Sequence, residues 1–467
     1  MKVRTMQPLL ALALLVMACG GEEKLSGPWA HVPKRKTATD HTSFFNQSFK
    51  DGPAVTKACL ECHPEASKEV MKTSHWRWEA ADPVLLPGRK EPLRLGKKNA
   101  FNNFCIAATS NEKMCTKCHV GYGWKDKTFD FADETRVDCL ACHDKSGTYA
   151  KQDEGLPVKG VDLLAAARSV GRTSRGTCGN CHFFGGGGNS VKHGDMSATL
   201  FNPADHVDVH MGKHNLVCAD CHRAKDHDIL GRAMSVSPSA PIKGRIACTD
   251  CHKGDPHKDA RLNKHLKKVS CQACHIPQMN REEATKMTWD WSKAGQENDI
   301  KDPHVYLKIK GRFTYEKGAT PTYRWYNKNA THYVLGDTID PTKVTKMDAP
   351  IGARKMAGSQ IWPFKVHRGK QPYDKVHNYF LVPNLVGDEG YWKKFDWDLA
   401  LKNGAKKTGL PYSGEYAFAA TEMYWPLTHM VVAKEDALGC GDCHGPSGRL
   451  DWKGLGYERD PLAKGAA

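Results

Sequence analysis

The chain has 467 residues, 40% of them hydrophobic, and its 68 Lys and Arg against 52 Asp and Glu give a formal net charge of +16. Apolar content this modest over so long a chain excludes a polytopic membrane protein and leaves a large core short of material. Eighteen cysteines are too many for an ordinary reduced cytosolic enzyme and demand a chemical use.

Residues 1–18 read as an export signal, with Lys2 and Arg4 ahead of a short apolar run from Pro8 to Ala18. Val16-Met17-Ala18-Cys19 is similar to a bacterial lipobox, which predicts a lipid anchor on Cys19; an ordinary secretory signal with an incidental cysteine is the alternative. The predicted location is therefore outside the cytoplasm, in the periplasm or at the outer membrane.

From residue 19 to 275 one pattern dominates. Cys59-Leu-Glu-Cys62-His63, Cys115-Thr-Lys-Cys118-His119, Cys139-Leu-Ala-Cys142-His143 and Cys178-Gly-Asn-Cys181-His182 are followed by Cys218-Ala-Asp-Cys221-His222, Cys248-Thr-Asp-Cys251-His252 and Cys271-Gln-Ala-Cys274-His275. An eighth, Cys440-Gly-Asp-Cys443-His444, stands in residues 440–467. Zinc sites and disulfide scaffolds also use paired cysteines, but neither needs a histidine directly after the second one every time. Two thiols and an adjoining histidine are what covalent attachment of a c-type haem requires, so the cofactors expected are eight c-type haems. Two propionates on each would offset most of the positive charge, which removes the case for a nucleic-acid partner.

The fold class expected is a multihaem cytochrome c, mainly short α-helices and loops wrapped around haems. Periodicity predicts helices over Glu65–Trp78, Val161–Arg172 and Lys258–Val269, the last with Leu262, His265, Leu266 and Val269 on one face. Phe183 to Gly188 has no strand–helix frame for a phosphate loop and suits backbone squeezed between macrocycles. Residues 276–439 carry no motif. There Val305–Tyr315 alternates like a strand, and Thr322–Tyr326 and Thr331–Leu335 flank a turn at Asn327-Lys328-Asn329, predicting a small antiparallel β meander.

Bis-histidine haems need distal ligands besides the motif histidines. The candidates are His41, His75, His193, His210, His227, His257, His265 and His429, eight names for about seven places. His227 and His257 each stand five residues past a motif histidine, too close to reach the far face of the same haem, so each is expected on a neighbouring one. His304, His332, His367 and His377 are read as surface or substrate-side residues.

Several stretches resemble the octahaem tetrathionate reductase family. They are Asn102-Asn103-Phe104-Cys105-Ile106, Val120-Gly121-Tyr122-Gly123-Trp124 after the second motif, Val137-Asp138-Cys139, Gly147-Thr148-Tyr149, Val191-Lys192-His193-Gly194-Asp195 and Val207-Asp208-Val209-His210-Met211. Trp289-Asp290-Trp291-Ser292 and Thr421-Glu422-Met423-Tyr424-Trp425-Pro426 complete the match. The resemblance implies seven bis-histidine haems and one catalytic haem, attached through the second motif and bearing a lysine as its second protein ligand. The matching residue is Lys151, with Lys145 as the rival, and Cys105 matches a cysteine beside that haem. An inert buried thiol, or a disulfide to a lipid-free Cys19, are the other readings of Cys105.

The resemblance further implies two-electron reduction of tetrathionate, or reduction of nitrite or hydroxylamine. Redox-partner cytochromes or quinol-linked donors would supply the electrons, and the substrate would be a small sulfur or nitrogen oxyanion. A non-catalytic outer-membrane conduit and a hydroxylamine-oxidising octahaem enzyme are the alternative functions.

Overall fold

The computed structural model describes residues 27–463 apart from 33, 36, 81, 232–233 and 235–245. The signal segment and Cys19 lie outside the described residues. No helix among the described residues is long and apolar enough to cross a membrane.

The motif-bearing part is built from short helices joined by loops. Asp51 opens Gly52–Leu60 by accepting from the Ala54 N–H, with Pro53 inside the first turn where its missing N–H costs nothing. The stretch expected as one helix from Glu65 breaks into Ala66–Met71 and Ser74–Arg77. The other two predicted helices shorten to Leu163–Arg168 and Ala260–His265, and Leu262 is exposed rather than inward.

Most of the motifs close as a single turn that ends on the histidine. His63, His143, His222, His252 and His444 donate their backbone N–H to the carbonyl of their own first cysteine at 2.8–3.0 Å. His182 and His275 are the last residues of helices Arg175–His182 and Cys271–His275. In the three Cys-x-Asp-Cys-His motifs the aspartate caps the turn: Asp220, Asp250 and Asp442 accept from Val217, Ala247 and Gly439 N–H groups at 2.8–2.9 Å. The second motif differs. There His119 N–H bonds to Thr116, one residue later, closing a 3₁₀ turn.

A hairpin of β1 (Ala224–Lys225) and β2 (Asp228–Ile229) presents His227 at its tip. Beyond the seventh motif the chain forms β3 (Thr285–Asp290), β4 (Tyr306–Leu307), β5 (Gly311–Glu316), β6 (Thr322–Tyr326), β7 (Asn329–His332), β8 (Thr345–Lys346), β9 (Asp348–Ile351), β10 (Gln360–Asp374) and β11 (Tyr416–Pro426). Seven of these make one sheet in the order β4-β5-β3-β10-β11-β8, with β6 also pairing β10.

This sheet replaces the expected meander. It is mixed, since β3 runs parallel to β10 and β8 parallel to β11. The strand expected over Val305–Tyr315 is a tight hairpin instead, turned at Gly311 with φ +91°, where a Cβ would strike the Asp290 carbonyl. β6 and β7 do not pair with each other: β6 joins β10, and β7 joins β9 in a separate two-stranded sheet.

The two sides of β10 face different cores. Phe364 and Val366 pack with Tyr326, Ala330 and Tyr424. On the other side Trp289, Trp291, Phe313, Met423 and Trp425 pack around Phe101, Phe104 and Ile106, the loop that carries Cys105. The sheet is thus the platform on which that loop is set.

Candidate functional site

The histidines form a repeated geometry. Seven motif rings each face one further imidazole: His63 with His41, His182 with His75, His143 with His227, His252 with His210, His222 with His429, His275 with His257 and His444 with His265. The centroid separations span only 6.1–6.4 Å. Imidazole–metal bonds of about 2.0 Å on both sides of one ion, with about 1.1 Å more to each ring centre, give about 6.2 Å. The paired rings therefore fit an iron between them.

Ring polarity agrees. His41, His143, His222, His227, His257, His265, His429 and His444 each engage an oxygen through Nδ1, at 2.6–3.2 Å. Holding Nδ1 in this way fixes the tautomer and aims Nε2 across the gap, the usual support of a metal-binding histidine.

His193, expected among the distal ligands, does not take that place. Its ring sits edge-on to Trp425 at 4.8 Å, and no motif imidazole faces it among the described residues. Trp425 reaches it from β11, more than two hundred residues away, so nothing near His193 in the chain betrays the difference. His193→Gln is accordingly expected to leave the number of bis-histidine haems unchanged in electron paramagnetic resonance, whereas His429→Gln should remove one. Met211 and Met430 pack with Phe183, Leu200 and Val207, which keeps them in a core and away from any ligand role.

Motif neighbours can be read from the thiols. The thiol of Cys59 acts on that of Cys139, Cys118 on Cys181, Cys178 on Cys218 and Cys248 on Cys271. Electrostatic contact links Cys142 to Cys178, Cys221 to Cys251, and Cys274 to Cys440 and Cys443. Motifs one, three, four, five, six, seven and eight thus form a continuous series, and the second joins it at the fourth.

The second motif stands apart in its surroundings too. His119 is 1% exposed and boxed by Trp124, Trp76, Trp78 and Phe129 at 4.7–5.6 Å, with no second imidazole across from it among the described residues. Its Nε2 meets the Trp76 carbonyl at 2.7 Å while Nδ1 is unpartnered. Its ring is thus held through the opposite nitrogen from His143, His222 and His444, which engage an oxygen through Nδ1.

Of the two lysines considered, Lys151 is the one the fold brings here. Its amine touches the carbonyls of His119 and Gly121 and lies 2.7 Å from Asp138 Oδ2. Lys145 is exposed, on a turn held by Ser169. Asp138, which sequence reading passed over as a mere neighbour of Cys139, also accepts from Tyr122 and Tyr149 hydroxyls at 2.8 Å and caps the third motif through Ala141 N–H. Burial and the Asp138 charge push both tyrosine hydroxyls well above their ordinary value, so they stay protonated donors.

Cys105 acts electrostatically on Cys115, the first cysteine of the second motif. Its carbonyl is held by Trp291 Nε1 at 3.0 Å and Gln371 Nε2 at 3.4 Å, tying it to the sheet. Burial pushes the thiol up, while Lys310 and Lys286 pull the other way. His304 and His377 are exposed, as surface residues should be, whereas His332 is largely covered and His367 completely so.

A family model described as "Cytochrome c bacterial" matches residues 286–447. An octaheme cytochrome c from Shewanella oneidensis, known from its crystal structure, superposes with a TM-score of 0.86 at 47% sequence identity, covering 91% of this chain and 98% of that one. The chain belongs to the octahaem c-type cytochromes. This octahaem cytochrome carries covalently bound c-type haems, and the motif geometry above is built to receive them. It is also 25% identical over 240 residues to an "Uncharacterized protein" of Archaeoglobus fulgidus, covering 40% of this chain and 80% of that relative.

Proposed function

We propose that this cytochrome is a terminal oxidoreductase, reducing a small sulfur or nitrogen oxyanion at the haem held by Cys115, Cys118 and His119. Lys151 serves as the second protein ligand there, and the seven haems between paired histidines relay electrons to it. One observation carries the reading: seven motif imidazoles have a partner about 6 Å away and, among the described residues, His119 has none. A c-type haem supplies one-electron transfer everywhere, and, where a second imidazole is lacking, a coordination position that a weaker ligand can yield.

The surrounding residues support that role. An amine that donates its lone pair to a metal keeps two N–H bonds, and Asp138 Oδ2 with the nearby carbonyls can accept them. The aromatic box keeps water from His119. Lys97 acts electrostatically on both Cys118 and His119 and would draw an anion inward.

Tetrathionate is the substrate favoured by the family resemblance. Two electrons break its central S–S bond and release two thiosulfates, with no proton required. Cys105 would give up its proton and attack a central sulfur, keeping one half as a cysteine-bound thiosulfate while the other leaves; two relayed electrons and one proton then free the second and restore the thiol. Cys105→Ser is expected to lower tetrathionate turnover about a hundredfold, near 2.7 kcal/mol in barrier; undiminished turnover would eliminate the thiol route. Redox-partner cytochromes or quinol-linked enzymes would feed the series, with the protein exported and anchored at Cys19. Protein-film voltammetry with tetrathionate, nitrite and hydroxylamine tests the whole: absence of any catalytic current would leave a conduit instead.

A further inference from the structure

Beside the Cys105 loop, β3 and β10 bury basic side chains that no haem motif uses. Lys286 is 4% exposed, with its ammonium over the rings of Phe313 at 3.6 Å and Trp289 at 3.9 Å. The rings shield its charge but offer no oxygen, and among the described residues no carboxylate pairs with it. Lys365, fully buried, donates to Val191 O at 2.8 Å, Lys192 O at 3.2 Å and Thr285 Oγ1 at 2.7 Å. Asp195 acts on Lys365 from a distance, but its Oδ2 already accepts the Thr428 and His429 backbone N–H groups.

His367 is the more telling residue. It is fully buried, neither ring nitrogen has a hydrogen-bond partner, and both Lys286 and Lys365 act on it. Asn103 Oδ1, whose amide holds the His367 carbonyl at 2.8 Å, is also unpartnered. Buried polar groups in folded proteins are satisfied, and buried charge is compensated. Two amines and an unspent imidazole are thus enclosed together, and the one acid that acts on them, Asp195 on Lys365, is already engaged through its Oδ2.

We propose that Lys286 and His367, backed by Lys365, form an oxyanion subsite that receives one terminal sulfonate of the substrate and holds its sulfur chain toward Cys105. This rests on the reading that the second-motif haem is the reaction centre. Cys105 is at the right place for it, since its thiol and the Lys286 ammonium act on each other and its carbonyl is fixed to β10 by Gln371. Burial and the Lys310 charge bring Lys286 down to about 7, with Cys105 acting upward and Lys365 and His367 facing it from β10. A docked dianion raises that value again, so binding above neutral pH takes up a proton.

The test is calorimetric titration of the eight-haem protein with sodium thiosulfate at pH 8, in HEPES and in Tris. Proton uptake shows as a difference in heat between the two buffers. Lys286→Gln is expected to weaken binding about tenfold to a hundredfold and to abolish the buffer difference, with Lys286→Arg restoring most of the affinity. His367→Gln provides a second variant should Lys286→Gln assemble poorly, with the same weakening expected. Unchanged affinity in both Gln variants overturns the subsite. So does unchanged affinity with a shifted haem midpoint potential, which would make a resident propionate the anion served. Thiosulfate binding that depends on Lys286 in a protein that turns over no tetrathionate would keep the subsite and overturn only the substrate named above.

Discussion

Without its haems the chain is expected to stay unfolded from Gly52 to His275 while the sheet from β3 to β11 retains protection. Helices in the first region run from four to nine residues. Helices under about 12 residues are marginal alone and depend on packing. Yet their hydrophobic clusters are small, five buried residues around Val55 and six around Trp76, and they are scattered. The rings of the seven histidine pairs stand about 6 Å apart and do not touch, so they contribute nothing unless something bridges them. The sheet, by contrast, packs against one large continuous core. Hydrogen–deuterium exchange on a chain with all sixteen motif cysteines changed to serine would measure this. Protection across 52–275 within tenfold of the haem-loaded protein would contradict it.

Lys151→Ala is expected to alter one haem in eight, lower turnover ten- to a hundredfold and cost about 3 kcal/mol of stability. The stability loss follows from burial. Lys151 and Asp138 have side chains 7% and 0% exposed and stand 2.7 Å apart, so truncation leaves a buried carboxylate without its amine donor. Tyr122, Tyr149 and the Ala141 N–H remain on Asp138 and limit the damage. Paramagnetic resonance should show seven signals unmoved and one displaced, and denaturant titration supplies the free energy. Eight unmoved signals would remove Lys151 from the iron. Lys145→Ala, at an exposed turn, should change neither readout.

Much of this arrangement is legible in the sequence because covalent haem attachment needs a strict local pattern. Seven of the histidines named beforehand stand opposite a motif ring, and His227 and His257 reach other motifs, as their five-residue spacing requires. Which ring meets which was not legible, since those contacts span up to two hundred residues. The sheet was legible only in fragments. β10 carries Pro363 and Pro372 and buries Lys365, His367 and Gln371, so neither apolar alternation nor strand composition marks it. Asp138 and Lys286 were invisible for a related reason: a lone acid or lysine reads as solvated until the fold encloses it.

The close approach of thiols from different motifs carries a cost before maturation is complete. Cys59 with Cys139, Cys118 with Cys181, Cys178 with Cys218 and Cys248 with Cys271 are the pairs whose thiols act on one another. In an oxidising compartment such neighbours would close into disulfides between motifs and block porphyrin insertion. Were the protein exported as its N-terminal residues suggest, its biogenesis would depend on a reductant that outpaces oxidation until each vinyl group has been captured. Starving cells of that reductant should yield crosslinked, colourless chains rather than partly loaded ones.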